Sequence, residues 1–224
     1  MIIRLKVNQM KRKECRKYYF SVEGDTEGWY LKWLEKQINQ CDDAEYKVDF
    51  LIKRTKNPNK FIKELSVLSK TKIVHVFDFE DRQNETAFQN TLKVMKDASK
   101  LKRNINYYLG YSNYTFDLWM VLHKKCVMGS KSYRSHYLTD INRYYKTDFE
   151  SMEKYKEENN FKKVLDCLDL DDVKNAILNA EKIESQNVQN YQKMTHCGFE
   201  YYRENPSLSI HKYIKDILIT VKLL

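Results

Sequence analysis

Residues 17–26 read KYYFSVEGDT, and this stretch decides the fold. Its first six residues are β-prone and end at Glu23, after which Gly24 permits a tight turn and Thr26 is of a residue type that caps helices. Over residues 27–40 the apolar side chains recur at helical spacing, so this helix has one buried face. A strand, a turn and a helix are therefore predicted in this order.

The same alternation of strand and helix continues along the chain. We predict strands over residues 46–52, 72–78 and 105–110, and helices over residues 59–69, 85–101 and 114–123. The strand before Asp78 is a nearly continuous apolar run, which is typical of a strand covered by helices on both faces. Four strand–helix units in series indicate an α/β fold with a mostly parallel sheet and right-handed crossovers.

Strand signals fade beyond about residue 130. Helices are predicted over residues 140–145, 160–168, 171–192 and 207–223. We therefore divide the chain into an α/β core, residues 1–128, and a helical C-terminal region, residues 129–224, that packs on the core.

Composition narrows the classes of function. The chain of 224 residues has a net charge of +9, which makes nucleic acid a plausible partner, although lysine-rich surfaces also occur on proteins that bind no polyanion. Its five cysteines form no Cys-x-x-Cys pair, which argues against a disulfide framework or a structural zinc site and favours a reducing compartment. No apolar run approaches the length of a membrane span, so we expect a cytoplasmic protein.

Acidic residues follow two of the predicted strands. Glu23 ends the first strand, and the segment Asp78–Asp81 ends the third. Ligands of parallel sheets bind beyond the carboxyl ends of the strands, so these carboxylates converge if the two strands are neighbours. Converging carboxylates without nearby His or Cys favour Mg²⁺ or Mn²⁺, and the chemistry that such ions support is phosphoryl transfer. Any single one of these residues could equally cap a helix or face water.

Four blocks of the sequence resemble RloB-like proteins and the OLD-type Toprim domains. The blocks are VEGDTE (22–27), VFDFED (76–81), YSNYTFDLW (111–119), and NPS (205–207) with IHK (210–212). The resemblance implies a Toprim-like fold in which Glu23 is the acid/base or metal-linked residue and Asp78 and Glu80 coordinate Mg²⁺. The chain departs from the pattern at Glu80, where the second Asp is usual and Asp81 is a possible substitute, and at Asp117, where Glu is usual.

Further residues near these blocks are candidates for the same site. Glu27 is a candidate metal ligand, or it interacts favourably with the helix N-terminus. Arg82 is a candidate for phosphate binding, or it pairs with the adjacent carboxylates. Ser112, Asn113 and Asp117 are candidate substrate-binding residues, although Asn is more often used to form turns.

A histidine and several tyrosines also stand out in the sequence. His75 lies inside an apolar strand and is interpreted as a hydrogen-bonded core residue. Tyrosines stand beside basic residues at Lys17–Tyr19, Arg143–Lys146 and Tyr201–Arg203. Such clusters either stack on the bases of single-stranded nucleic acid or form amphipathic packing surfaces.

The leading hypothesis is therefore a metal-dependent nuclease that acts on DNA or RNA. The resemblance implies a setting in bacterial anti-phage defence or a restriction-linked system, with a protein partner from that system. The alternative is a non-catalytic module that binds nucleic acid or a partner, since some Toprim domains recruit without cleaving.

Overall fold

The computed structural model describes residues 13–66, 69–80, 82–102 and 104–224 of the chain. The strands of these residues are β1 Cys15–Val22, β2 Lys47–Arg54, β3 Thr71–Asp78, β4 Ile105–Asn113, β5 Met194–His196, β6 Phe199–Tyr201 and β7 Ser207–Leu208. The helices are α1 Asp25–Gln40, α2 Pro58–Glu64, α3 Glu85–Leu101, α4 Asp117–Leu122, α5 His136–Tyr145, α6 Met152–Tyr155, α7 Glu158–Leu165, α8 Leu170–Asn190 and α9 Ile210–Thr220. A 3-10 turn, Arg82–Asn84, precedes α3.

Five strands form the main sheet in the order β2-β1-β3-β4-β7. The first four run parallel, and β7 pairs antiparallel with the end of β4. Strands β5 and β6 form a separate antiparallel hairpin. The mostly parallel α/β architecture predicted from the sequence is therefore confirmed.

Alternate residues of β3 point to two different hydrophobic cores. Val74 and Val76 face the larger core, which also holds buried residues of α1, α4, α5 and α7 to α9. Ile73 and Phe77 face the smaller core, which is covered by α2 and α3. The strand is buried on both faces, as its continuous apolar run indicated.

Several predicted boundaries are corrected by the structure. Helix α2 ends at Glu64 because Leu65 adopts an extended conformation, whereas the prediction extended to residue 69. Strand β4 continues to Asn113, so the following helix begins at Asp117 and not at Tyr114. Gly24 is the N-cap of α1, so the suggested capping role of Thr26 is wrong.

The C-terminal region is not purely helical as predicted. It contains the hairpin of β5 and β6, and its short strand β7 extends the main sheet beside β4. Residue 207, predicted to start the last helix, lies in β7, and α9 begins at Ile210. The division of the chain at residues 128 and 129 stays a prediction. Among the described residues, no helix has both the length and the apolar character that crossing a bilayer requires.

Two buried histidines tie helices and strands together. His75 lies within hydrogen-bond distance of the Ser21 hydroxyl, with 2.8 Å between Nδ1 and Oγ, which confirms its interpretation as a packed core residue. His123 lies 3.1 Å from the Tyr30 hydroxyl through Nε2 and 2.9 Å from the Trp119 carbonyl through Nδ1. Burial disfavours the charged imidazolium and lowers the pKa of each side chain to about 4.

We expect these histidines to weaken the fold in mild acid. Their pKa lies below the ordinary value, so the unfolded chain takes up a proton first as the pH falls. Each contribution is present above pH 6.5 and is lost toward pH 4, with a loss on the order of 1–2 kcal/mol between pH 7 and pH 5. Urea unfolding at both pH values should show a smaller loss for His75→Gln than for the parent. His136→Gln at an exposed position is the matched control, and an equal change in that variant would contradict the assignment to burial.

Candidate functional site

The carboxyl edge of the sheet brings Glu23 and Asp78 together. They end the adjacent parallel strands β1 and β3, and the Glu23 N–H donates to the Val76 carbonyl at 3.1 Å, which extends the strand pairing to the edge. Both residues line one cleft of about 330 Å³, which Glu27 and Glu80 also line. The predicted convergence of these acidic residues is thus present in the structure.

Asp78 carries the most unusual carboxylate of the cleft. Its Oδ1 atom is buried and has no hydrogen-bond partner among the described residues. Burial raises the pKa of this carboxyl group well above its ordinary value, and the nearby carboxylates of Glu27 and Asp117 raise it further. Ionised Asp78 would therefore be strongly stabilised by a cation in the cleft.

Glu80 is held at the edge by an uncommon backbone conformation. Its φ of 65° is left-handed, which costs free energy for a residue with a Cβ atom. The Glu80 N–H donates to the Tyr114 carbonyl at 3.0 Å, and the preceding residue, Phe79, is buried in the smaller core. These contacts fix the backbone so that the Glu80 carboxylate reaches Arg134, 3.3 Å away.

Basic residues of the β2–α2 connection line the opposite wall. The N–H of Thr55 donates to the Val22 carbonyl at 2.8 Å, which holds this connection beside the end of β1. Lys56 lies 3.5 Å from the Glu23 carboxylate, and Arg54 lies 2.6 Å from that of Asp25. All four side chains of these ion pairs are well exposed, so each pair is readily exchanged for another ionic partner.

Gly24 allows the close approach of Glu27. A Cβ atom at position 24 would lie 2.6 Å from Glu27 Oε2, so any other residue would displace the Glu27 carboxylate. The Glu27 carboxylate accepts a hydrogen bond from the Thr26 hydroxyl at 2.9 Å and lies in the first turn of α1. Burial raises the pKa of this carboxyl group. Glu27 lies at the positive end of the helix, so the favourable interaction with the helix N-terminus that the sequence offered as an alternative is available to it. The role of Glu27 as a metal ligand stays a prediction.

Lys156 enters the cleft from the turn between α6 and α7. Its Nζ lies 3.0 Å from Oδ2 of Asp117, whose side chain is fully buried and also accepts a hydrogen bond from the Thr115 hydroxyl at 2.9 Å. Burial lowers the pKa of Lys156, but the carboxylates of Asp117, Asp78 and Glu27 outweigh that effect, and the net shift is upward. Lys156 therefore stays charged and is an internal cation for three acidic side chains.

The remaining predicted substrate-binding residues are not on the cleft surface. Ser112, Asn113 and Asp117 are all buried. Asn113 donates through Nδ2 to the carbonyls of residues 203 and 204, and Asp117 holds Lys156. Their burial does not support direct contact of these three side chains with a substrate. It indicates that they hold neighbouring segments of the chain in place. Asp81 and the side chain of Arg82 lie outside the described residues.

The donor set of the cleft suits a divalent metal by residue type but not by its present pairing. Carboxylate oxygens are the ligands that Mg²⁺ and Mn²⁺ prefer, and Asp78 offers a buried oxygen without a partner, so the residue types fit. In the part of the chain that the structure describes, however, no three His, Cys, Asp or Glu side chains form a ready-made metal cluster. Glu23 and Glu80 instead face Lys56 and Arg134. Metal binding by these residues would therefore require the ion pairs to open.

The family profile of RloB-like proteins matches residues 18–217, nearly the whole chain. The chain belongs to the RloB-like protein family. All four sequence blocks that carry the resemblance fall within the matched residues. No curated protein and no solved structure matches the chain. Membership in the RloB-like family establishes the relationship, while the relation to Toprim domains stays a prediction.

Sequence reasoning missed the basic side chains of the cleft. Arg54, Lys56, Arg134 and Lys156 all line it, and none belongs to the blocks that mark the RloB-like family. Arg54 and Lys56 could have been found, because they follow a predicted strand at the same edge as Glu23. Arg134 and Lys156 lie in a region with no strand or motif signal, so only the tertiary structure brings them to the site.

We expect the buried ion pair to support the fold of this site. Lys156→Met leaves the Asp117 carboxylate buried without its cation, which should lower the free energy of unfolding by about 3 kcal/mol. The double variant Lys156→Met/Asp117→Asn should recover most of that loss. Urea unfolding at pH 7.5 measures both, and Lys154→Met, two residues away on the surface, is the control. Equal stability of Lys156→Met and the parent would contradict the pairing.

Proposed function

We propose that this chain binds nucleic acid through its phosphates in the cleft and hydrolyses phosphodiester bonds with a divalent cation, Mg²⁺ or Mn²⁺. The observation that carries the proposal is the buried, unpartnered carboxylate oxygen of Asp78 at the carboxyl edge of a parallel sheet. An ionised carboxylate of this kind is unfavourable without a cation, and four basic side chains that could contact a phosphate line the same cleft.

The basic side chains of the rim provide the phosphate contacts. Arg54, Lys56 and Arg134 are all exposed and each is paired with one carboxylate of the cleft. Exposed ion pairs contribute little stability, so exchanging a carboxylate for a phosphate costs little. Arg54 and Arg134 can each contact a phosphate with two N–H groups, which orients the phosphodiester as well as attracting it.

The residues that would hold the cation are Glu23, Asp78 and Glu80. When bound, a divalent cation supplies charge neutralisation and an activated water for phosphoryl transfer. Movement of Lys56 and Arg134 onto the phosphates would release Glu23 and Glu80 at the same time. Binding of substrate and completion of the carboxylate set are thereby coupled through the same two ion pairs.

Lys156 would supply a fixed positive charge to the reacting phosphate. Its ammonium group lines the cleft and is held by the buried Asp117, so its position does not depend on exposed side chains. A fixed positive charge near the reacting phosphate stabilises the negative charge that develops on its oxygens. Because the carboxylates keep Lys156 charged, this contribution is present throughout the neutral pH range.

The alternative is a module that binds nucleic acid or a protein without cleavage. The observation in its favour is that Glu23 and Glu80 are ion-paired and that no cluster of three ligands exists in the described residues. Under this alternative the cleft binds phosphate in the same way, and the cation adds nothing. The nuclease and the binding module differ in one measurable property, which is metal-dependent cleavage.

The cellular setting is part of the proposal and rests on the family. A role in bacterial anti-phage defence or a restriction-linked system, with a partner protein, is what the RloB-like resemblance implies. All five cysteines are free thiols, which supports a location in the reducing cytoplasm.

Removing the central carboxylate should abolish cleavage. Asp78→Ala and Glu23→Ala should each lower the rate of phosphodiester cleavage by at least about a hundredfold, since each removes a ligand for the cation. The measurement is cleavage of fluorescent single-stranded and duplex DNA and RNA with Mg²⁺ or Mn²⁺, and with chelator. Asp97→Asn, on the exposed face of α3, is the control and should cleave as the parent does.

The same variants should remain folded. Removing a carboxylate from a crowded acidic cleft relieves repulsion, so Asp78→Ala should melt no lower than the parent without metal. Lost cleavage with retained stability supports the proposal. If the parent binds nucleic acid but cleaves none of the substrates with either metal, the binding module is the correct account.

Nucleic-acid binding should depend steeply on salt. Each phosphate contact releases counterions, so the logarithm of the affinity should fall linearly with the logarithm of the salt concentration. Arg54→Ala/Lys56→Ala should weaken binding of every sequence and reduce that slope by about 2. Fluorescence anisotropy with a labelled oligonucleotide, at salt concentrations from about 50 to about 300 mM, measures the affinity and this slope. Lys63→Ala on the surface of α2 is the control.

A further inference from the structure

A second cavity is lined by chain neighbours of the cleft residues. It has a volume of about 450 Å³, within the usual range for small-ligand pockets. Its walls include three tyrosines, Tyr114, Tyr133 and Tyr191, together with Arg203 and Asn205. None of these residues was assigned to the candidate site above, so the cavity is a separate feature of the surface.

Two links connect the residues of this cavity with those of the cleft. Tyr133 lines the second cavity, and the next residue, Arg134, lines the cleft and pairs with Glu80. On the other side, the Tyr114 carbonyl accepts the hydrogen bond from the Glu80 N–H. Arg134, which we propose contacts a phosphate, is therefore joined through the backbone to the tyrosine-lined cavity.

The walls of this cavity are fixed by hydrogen bonds. The Asn205 side chain accepts from the Ser130 hydroxyl and the Lys131 N–H and donates to the Lys131 carbonyl, at 3.2, 2.7 and 3.1 Å. Asn113 binds the carbonyls of residues 203 and 204 from the other side. The Arg203 guanidinium is paired with Glu85 at 2.7 Å. Hydrogen bonds between its walls thus hold this cavity in shape, so the shape does not depend on exposed side chains alone.

Two tyrosine rings in this recess are unusually exposed. Tyr133 is 67% exposed and Tyr191 is 39% exposed, although most of the large apolar side chains of the chain are buried. The tyrosines that the sequence marked for stacking are less exposed: Tyr145, Tyr201 and Tyr202 are buried, and Tyr18, Tyr19 and Tyr144 are partly buried. Exposed aromatic rings near basic side chains that contact phosphates are the arrangement that proteins use to stack unpaired bases.

We infer that the cavity lined by Tyr133 and Tyr191 binds an unpaired nucleobase of the strand whose phosphate lies in the cleft. The inference rests on the proposed function, because the cleft supplies the phosphate. It adds that the substrate is single-stranded, or locally unpaired, at the nucleotide next to the contacted phosphate. A paired base has its faces covered by its neighbours in the duplex and cannot enter a recess of this kind.

The test compares strands that differ only in their bases. Labelled single-stranded oligo(dT) and oligo(rU), a duplex of the same length, and an abasic strand with the same phosphates are titrated at fixed salt without divalent metal. The parent should bind the base-bearing strands between roughly fivefold and a hundredfold more tightly than the abasic strand. Tyr133→Ala and Tyr191→Ala should each remove much of this preference while binding of the abasic strand is unchanged.

Two further variants separate stacking from general effects. Tyr133→Phe keeps the ring and should bind as the parent does, and Tyr46→Ala, beside the start of β2, should have no effect. Equal binding of base-bearing and abasic strands by the parent would overturn the inference and leave phosphate binding in the cleft intact. Failure to bind any strand, with loss of the salt dependence expected for the cleft, would overturn both.

Discussion

The hydrogen bond from the Glu23 N–H to the Val76 carbonyl fixes the geometry on which the candidate site depends. It extends the pairing of β1 and β3 past the last residue of β1, so that two acidic side chains leave the sheet at the same edge. A neighbouring bond, from Thr55 to Val22, brings the basic connection after β2 to the same place. Because backbone pairing is cooperative along a ladder, the positions of these loops follow from the core strands and not from the loops themselves.

The cleft is electrostatically balanced and not simply basic. Five carboxylates and four cations line it, and most of the exposed ones are already paired. The net charge of +9 therefore does not come from the cleft. A balanced site of this kind attracts ligands weakly at long range, and it distinguishes them by how well they replace the partners already present. Burial adds selectivity, since the ionised form of Asp78 calls for a cation, whereas Oδ2 of Asp117 already pairs with Lys156.

The sequence predicted the acidic residues at the strand ends of the site but not its basic side chains. Glu23 and Asp78 were found because each directly follows an apolar strand, and strand ends of a parallel sheet meet at one edge. Lys156 was not found because it lies in a short turn whose place is set by packing of α7 against α1. Strand β7 has two residues, too few for any periodic signal, and only the open edge of β4 induces it. Ser112 and Asn113 were candidates because they belong to the third sequence block, but burial is a tertiary property that the motif did not reveal.

Strand β7 also affects how the chain reaches its folded state. It pairs with the end of β4 although it lies far along the sequence, and Ser209 continues the contact by donating through its hydroxyl to the Leu109 carbonyl at 2.5 Å. Until residues 207–209 have left the ribosome, the edge of β4 remains without this partner, and an unpaired edge is a place where other chains can add a strand. Folding of the four parallel strands therefore leaves the end of β4, at Ser112 and Asn113, open to pairing with another chain until β7 is made.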